Sequence, residues 1–331
     1  MTSREIVLRT IRFERPARIA MSLPDPYPND IAWGWLADDP GWKPKRTFAP
    51  EKGAMWEDEW GNVWARLDNF SKGQVVEGAL KEWAQLDDYH LPNVDDPARY
   101  EAARESFAKQ ADKFRIGGLP GFPFDIMRYL RRMDLFLEDL LAHPAEVRRL
   151  ADRVTELLGC CIESWARAGA DAVMFAEDWG TQERLLVSPA LWREVFKPDY
   201  LKLCDVARRS GLTVWMHSCG YIWDIIEDLI ECAISVLQLD QPGLFGVERL
   251  AEAFGGRVTF WCPVDIQKVL PSGDESKIDA FARELVEKLG PFNGGFIAGY
   301  YEGMEAIGVR PEWQEVACRA FVRYGAVSSP A

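Results

Sequence analysis

His217 and Cys219, the outer residues of the tripeptide His217-Ser218-Cys219, are the side chains whose types and spacing point most directly to chemistry. They follow an apolar segment, residues 212–216, which predicts a buried strand. Because alternate residues of an extended segment point the same way, an imidazole nitrogen and a thiolate can face one ion there. Zinc accepts both kinds of donor. The other interpretation is that His217 is a hydrogen-bonded core residue and Cys219 a small buried one.

Other predicted strands also end in polar or nucleophilic side chains. These strand-end groups are Glu177, Asp178 and Trp179; Gln238, Asp240 and Gln241; Cys262 and Asp265; and Tyr300, Tyr301 and Glu302. In a parallel barrel, catalytic residues lie on the loops at the carboxyl ends of the strands. The collection of metal ligands and acid–base groups at such positions favours an enzyme over a binding module.

Each of these residues also has a purely structural interpretation. Asp178 and Asp265 can cap the elements that follow them, and Gln241 can belong to a turn before a proline. Glu177 can point to the other side of its strand, and Cys262 can pack in the core. We therefore state their roles in a site as expectations.

The elements that position these residues alternate between strand and helix from about residue 112 onward. The predicted strands are 19–23, 114–118, 171–176, 212–216, 234–239, 257–261 and 295–298. Helices are predicted from Pro144, after Ser188, over 221–231 and 275–289, and from Pro311. This succession indicates an α/β protein with a parallel sheet. A single (β/α)8 TIM-like barrel over residues 1–331, with one weakly marked strand, fits best; a doubly wound open sheet is the alternative, but it lacks a Gly-rich first turn.

Residues 26–100 differ from the rest of the chain, because they are rich in Trp, Asp, Pro and Gly and show weak periodicity. The pattern predicts loops, short strands and a hairpin. We expect this irregular, Trp-rich insertion to lie over the barrel mouth.

Composition narrows the range of partners and compartments. The formal net charge of −13 argues against nucleic acid and against an anionic membrane surface, since both are bound by basic patches. The seven cysteines are odd in number and lie mostly in apolar segments, which predicts free thiols and a cytoplasmic location. No uncharged apolar run is long enough to predict a membrane span.

Several stretches together resemble the uroporphyrinogen decarboxylase superfamily, in the branch that also holds corrinoid-dependent methyltransferases. The matching stretches are residues 4–16, 58–61, 177–182, 188–189, 217–220, 260–267 and 294–297. The resemblance extends over nearly the whole chain in a consistent order. It implies a TIM-like barrel and, in the methyltransferase branch, a zinc ion held by His-x-Cys and a later Cys.

The resemblance implies that His217 and Cys219 are the first two zinc ligands. The later cysteine of the family pattern would follow the last Gly-Gly strand, but residues 298–303 contain no cysteine. Cys262, on a neighbouring strand, can take its place. A carboxylate can also complete the shell, because zinc tolerates one. The carboxylates at strand ends are Glu177, Asp178 and Glu302.

From this resemblance we expect a zinc-dependent methyltransferase that moves a methyl group between a small substrate, aromatic or methoxylated, and a separate corrinoid protein or a thiol acceptor. Asp178 would orient or protonate the leaving group, and Gln241 and Asp265 would position the substrate. The chain has no Asp-x-His-x-x-Gly motif, so a corrinoid would come from a partner protein. The resemblance also suggests a homodimer.

Two other functions fit the same pattern. One is a metal-independent decarboxylase or lyase that uses Asp178 and Tyr300 as acid–base groups. True porphyrinogen decarboxylases carry an Arg-Gln-Ala-Gly-Arg-Tyr run near the start, where residues 24–30 of this chain are acidic and aromatic. The other is a non-catalytic protein that binds a corrinoid or tetrapyrrole.

Overall fold

The computed structural model describes residues 1–48, 54–66 and 73–326. Eight strands form one sheet in the order β1-β11-β10-β9-β8-β7-β6-β2, and all seven pairings between them are parallel. These strands are β1 Ala20–Met21, β2 Ile31–Gly34, β6 Phe114–Gly118, β7 Ala172–Ala176, β8 Thr213–His217, β9 Ile234–Gln238, β10 Thr259–Cys262 and β11 Phe296–Ala298. The sheet curves into a nearly closed barrel surrounded by helices, which confirms the predicted (β/α)8 TIM-like fold.

Helices connect the strands and cover the barrel. They are α1 Ser3–Ile11, α2 Glu101–Lys109, α3 Pro123–Arg131, α4 Met133–Ala142, α5 Pro144–Ala168, α6 Pro189–Val195, α7 Lys197–Arg209, α8 Trp223–Glu231, α9 Val247–Phe254, α10 Glu275–Leu289 and α11 Pro311–Tyr324. The starts at Pro144, Pro189 and Pro311 follow the preference of proline for the first helical turn. Helix α10 begins and ends at the predicted residues.

The strand that the sequence left unplaced is β2, four residues long with one tryptophan and one glycine. It lies within residues 26–100. Asp30 joins its start to β1, because the Asp30 N–H donates to the Met21 carbonyl at 2.8 Å and its carboxylate accepts from the Met21 N–H at 2.9 Å. Arg18 donates two hydrogen bonds to the same carboxylate, at 2.7 and 2.6 Å. This partly buried ion pair bridges the seam of the barrel between β1 and β2.

The rest of the segment 26–100 contains a small antiparallel sheet. Its strands are β3 Ala54–Glu57, β4 Val63–Arg66 and β5 Gln74–Glu77. Parts of the predicted insertion, residues 49–53 and 67–72, lie outside the described residues. That the segment acts as a lid over the mouth stays a prediction.

The inside of the barrel is filled by apolar side chains that alternate along each strand. The inward set includes Phe114, Ala172, Trp215, Val236 and Trp261, whereas their neighbours in sequence pack against the outer helices. Helix α1 closes the amino-terminal end, because its Ile6 and Val7 join this inner cluster. The opposite end, where the strands finish, is therefore the end at which a TIM-like barrel carries its functional residues.

The described cysteines are all free thiols, as predicted. Across residues 1–48, 54–66 and 73–326, no helix combines the length and the apolar character that crossing a bilayer requires.

Candidate functional site

Strand alternation brings His217 and Gln238 to the inside of the barrel mouth. Trp215 and Val236 belong to the inner cluster, and His217 and Gln238 lie two residues further along the same strands. His217 and Gln238 are also register partners in the pairing of β8 with β9. Their side chains are therefore neighbours at the carboxyl end of the sheet.

Three donor atoms converge at this point. The Nε2 of His217 lies 3.4 Å from the Sγ of Cys219 and 3.5 Å from the Oδ1 of Asp178, and all three donors lie within 4.8 Å of one another. A tetrahedral zinc ion, with bonds of about 2.0 Å to nitrogen and about 2.3 Å to sulfur, holds its donors about 3.5 Å apart. The group Asp178–His217–Cys219, which we call the donor triad, thus matches zinc in spacing as well as in donor chemistry.

Gln238 sets the orientation of the histidine ring. Its side-chain oxygen accepts a hydrogen bond from the Nδ1 of His217, while its amide nitrogen donates to the Oδ1 of Asp240 at 2.7 Å. Asp240 thereby fixes which end of the amide faces the imidazole. Because Nδ1 faces Gln238, Nε2 is the ring nitrogen that faces Asp178 and Cys219 and that would bind a metal once it has lost its proton.

Asp178 and Cys219 are held together by contacts between the loops after β7 and β8. The Cys219 N–H donates to the Oδ1 of Asp178 at 2.8 Å. Gly220 adopts φ +77°, and a Cβ there would lie 2.1 Å from the carbonyl oxygen of Gly180. Only glycine permits both this backbone conformation and this close approach. The backbone of the turn after Cys219 is therefore in close contact with the backbone of the turn after Asp178.

The electrostatics of the triad reflect mutual stabilisation of unlike charges. Burial opposes the ionisation of Asp178, but the hydrogen bond and charge of His217 outweigh it and lower the Asp178 pKa to about 2. Burial also opposes protonation of His217, yet Asp178 and Cys219 raise its pKa well above the ordinary value. Burial raises the pKa of Cys219, although His217 partly offsets it. Without a metal, the imidazole therefore carries its proton and the thiol keeps its own.

Glu177 lies outside the donor triad. Its side chain is fully buried on the outer side of β7, where it accepts hydrogen bonds from the Tyr200 hydroxyl, from the Trp179 indole at 3.1 Å and from the Asp125 N–H at 3.0 Å. Burial and the nearby Asp125 charge raise the Glu177 pKa to about 8. The structure thus places this carboxylate in the wall between β7 and the helices.

Cys262 and Glu302 are also separate from the triad. Cys262 is completely buried among outward-facing core residues, and burial raises the pKa of its thiol far above the ordinary value. Its neighbour Trp261 is the residue of β10 that faces the barrel interior. Glu302 is exposed in the loop after β11.

Three further predicted residues stabilise loops. Asp265 is 1% exposed and accepts from the N–H groups of Gln267, Lys268 and Gly243 at 3.0, 2.8 and 3.1 Å. The side-chain oxygen of Gln241 accepts from the Gly220 N–H at 3.3 Å, which supports the turn that follows Cys219. The Tyr300 hydroxyl lies 3.5 Å from the sulfur of Met304, on the side of β11 away from the mouth.

Tyr301, rather than Tyr300, faces the donor triad. Burial raises the Tyr301 pKa, and the charges of Asp240 and Cys219 add to the effect. Neither Tyr301 nor Gln238 was assigned a role from the sequence. The signal that could have found Gln238 was alternation: in the stretch Gln238-Leu239-Asp240, the two polar residues flank a buried leucine.

Comparison with known proteins places this chain in a family. The family model for uroporphyrinogen decarboxylase (URO-D) matches residues 70–323, so the chain belongs to the uroporphyrinogen decarboxylase family. The uroporphyrinogen decarboxylase of Thermus thermophilus is 29% identical over 129 residues, which make up 37% of this chain and 36% of that protein. The match therefore spans about a third of that relative's length.

A solved structure shares the fold. The methyltransferase from Methanosarcina mazei superposes with a TM-score of 0.64 at 19% identity, covering 80% of this chain and 76% of that chain. At this level of identity the similarity shows the common barrel, and it confirms the fold expected from the sequence resemblance.

Proposed function

We propose that this protein is a zinc-dependent methyltransferase that works with a methyl group carried by a separate corrinoid protein, or with a thiol acceptor. The observation that carries the proposal is the donor triad, in which nitrogen, sulfur and oxygen ligands converge at the carboxyl end of the barrel. Three protein ligands leave one position open on a tetrahedral ion, as catalytic zinc sites require. Membership of the uroporphyrinogen decarboxylase family and a methyltransferase with the same fold are consistent with this activity.

A bound zinc ion would supply Lewis acidity toward a methyl-bearing oxygen or would keep an acceptor thiol in its thiolate form. The protein's own residues prepare the site. The hydrogen bond between Gln238 and Nδ1 of His217 turns Nε2 toward the triad. Asp178 accepts a hydrogen bond from the backbone N–H of Cys219. His217 and Cys219 must lose protons to act as ligands, so metal affinity is expected to rise with pH.

The charge around the triad supports methyl transfer over porphyrinogen decarboxylation. A substrate with several carboxylates needs free cationic groups to hold it. Arg128, whose charge acts on Asp178, is already committed to Asp125, with 2.6 Å between its Nε and the carboxylate. Asp178 and Asp240 add negative charge beside His217.

The test is a methyl-transfer assay with zinc-loaded protein, methylcobalamin and 2-mercaptoethanol. In this reaction the cobalt–carbon bond breaks with its electron pair left on cobalt, a sulfur–carbon bond forms, and the thiol proton passes to buffer. Methyl thioether is measured by mass spectrometry. We expect turnover by the wild type and by Cys262→Ser, and nearly complete loss in His217→Ala. Wild-type turnover in a folded His217→Ala variant would contradict the proposal.

A further inference from the structure

A cavity of about 520 Å³ lies at the amino-terminal end of the barrel, opposite the donor triad. Helix α1 packs against β1, β6 and β11. The cavity lies between this helix and the starts of β8 and β9, and we call it the basal cleft. Its volume is in the range of sites that take small ligands.

One face of α1 brings two guanidinium groups into the basal cleft. Arg4 and Arg12 stand about two turns apart on this helix and both line the cavity. Arg4 donates to Asp171 through Nε and Nη2, which leaves Nη1 without a partner among the described residues. The exposed side chain of Arg12 forms no ion pair or hydrogen bond with any described residue. Donor groups of both arginines are therefore available to a ligand.

The opposite wall of the basal cleft carries two hydroxyl groups, from Thr213 and Ser235. The Oγ1 of Thr213 accepts a hydrogen bond from the Trp215 indole at 3.0 Å, so its own O–H is free to donate. The half-buried Ser235 hydroxyl makes no hydrogen bond to the part of the chain that the structure describes. Hydroxyl donors thus line the same cavity as the guanidinium groups.

The charge of this end of the barrel is opposite to that of the whole chain. Residues 1–18 contain five arginines and two glutamates, a net charge of +3, whereas the chain carries −13. Around the cleft, Arg4, Arg12 and Arg115 outnumber the single carboxylate of Asp171, so the local net charge is +2. A phosphate group carries about −1.5 to −2 at neutral pH and balances this charge, whereas a single carboxylate balances half of it.

We propose that the basal cleft binds a phosphate group, which Arg12 and the free Nη1 of Arg4 hold together with the hydroxyls of Thr213 and Ser235. Guanidinium groups match the geometry of phosphate oxygens and bind them strongly. Free phosphate and a phosphate ester present the same oxygens to these donors. The apolar side chains of Leu8 and Ile11 also line the cleft and can contact the organic part of an ester.

The test is calorimetric titration of the full chain with inorganic phosphate and with n-butyl phosphate, at an ionic strength held at about 0.15 M with NaCl. We expect one saturable site per chain. Arg12→Ala should weaken binding by about ten- to a hundredfold, and Ser235→Ala by about three- to tenfold, because each removes hydrogen bonds to a charged group. Arg12→Lys keeps the charge without the planar fork and should fall between Arg12→Ala and the wild type.

The two probes distinguish the sources of the phosphate group. Tighter binding of n-butyl phosphate identifies an ester that uses Leu8 and Ile11, and equal binding identifies free phosphate. Both results support the site.

Arg9→Ala is the matched control, because Arg9 is an exposed arginine of the same helix whose guanidinium donates to the Glu14 carbonyl, outside the cleft. It removes the same charge and should bind phosphate nearly as the wild type does. Equal weakening in Arg9→Ala and Arg12→Ala would show general attraction to a basic surface and would overturn the proposal. Binding that is unchanged in both Arg12→Ala and Ser235→Ala, or no saturable binding by the wild type, would also overturn it.

The basal cleft and the donor triad lie at opposite ends of β8, so the phosphate site does not depend on the proposed methyl transfer. Arg12→Ala should keep the zinc content and the methyl-transfer rate of the wild type. Phosphate binding without methyl transfer would support this site while contradicting the proposed function.

Discussion

Gln238 determines how well His217 serves as a ligand, because its side-chain oxygen binds Nδ1 and leaves Nε2 for a metal. Replacing Gln238 with leucine removes this acceptor and lets the imidazole rotate. We predict a loss of zinc affinity of roughly 10- to 100-fold, the usual effect of removing the hydrogen-bond partner of a ligand. The measurement is a competition titration against a chelator of known affinity.

Gln238→Glu is the control for this prediction, since it keeps an acceptor for the Nδ1 proton. Its zinc affinity should stay near that of the wild type. If Gln238→Leu binds zinc as tightly as the wild type, the orientation of His217 does not depend on this hydrogen bond.

The sequence indicated which side chains lie close together where two residues alternate along one strand, but not where the face of the strand was unknown; the roles of these residues in a site stay predictions. His217 and Cys219 lie together as their spacing indicated. Cys262 ends β10 and Glu177 follows β7, but alternation places both on the outer side. Both faces of a parallel barrel strand are apolar, so the sequence does not reveal which alternate residues point inward. In the structure, the inward position of Trp261 shows that Cys262, the next residue along β10, points outward.

At the scale of elements, glycine determines how closely a helix can approach the barrel. A Cβ on Gly117 of β6 would lie 2.3 Å from the Trp165 ring of α5, whereas a Cβ on Gly159 of α5 would meet no atom within 4 Å. We predict that Gly117→Ala lowers the free energy of unfolding by about 1–3 kcal/mol through overpacking. Gly159→Ala should instead raise it by about 0.5–1 kcal/mol, because alanine favours the helix. Urea denaturation of both variants checks the prediction, and equal effects would contradict it.

Asp171 ties α1 to the barrel through two arginines. It accepts from Arg4 at 2.7 Å and from Arg115 at 2.9 Å. Burial alone would raise the Asp171 pKa, but the hydrogen bonds of Arg115 and Arg4 outweigh it and lower that pKa. Because the folded pKa lies below the unfolded one, the stabilisation is present above about pH 4 and is lost as the pH falls through the folded pKa.

We therefore predict that Asp171→Asn lowers the free energy of unfolding by about 2 kcal/mol at pH 6. The difference between the variant and the wild type should shrink as the pH falls below 4, which denaturation at several pH values measures. A difference that stays constant down to pH 2 would show that the carboxylate charge is not what holds α1.

Element prediction succeeded where the pattern was clear and failed at the least marked strand. Helix α10 and strand β6 have the predicted bounds. Strand β2 was not predicted, since four residues containing one glycine and one tryptophan carry no periodic signal. Its place in the barrel depends instead on Asp30 and on pairing with β6, which are contacts between residues distant in sequence.

At the scale of the whole molecule, the fold follows from family membership and from the regular alternation of strands and helices. Function is less determined, because the site at a barrel mouth is built from the loops after the strands, and these vary independently of the barrel. A cytoplasmic location, a homodimer, a corrinoid partner protein and the absence of nucleic-acid binding stay predictions. The physical argument for the last of these predictions, the absence of nucleic-acid binding, is the net charge of −13.

The most direct test of the donor triad is the zinc content of purified protein, measured by elemental analysis. The wild type and Cys262→Ser should each hold about one zinc ion per chain, because Cys262 is buried on the outer face of β10. Cys219→Ser and His217→Ala should lose the metal, and Asp178→Asn should retain much less of it. Zinc lost in Cys262→Ser but kept in Asp178→Asn, or no zinc in folded wild-type protein, would contradict the account.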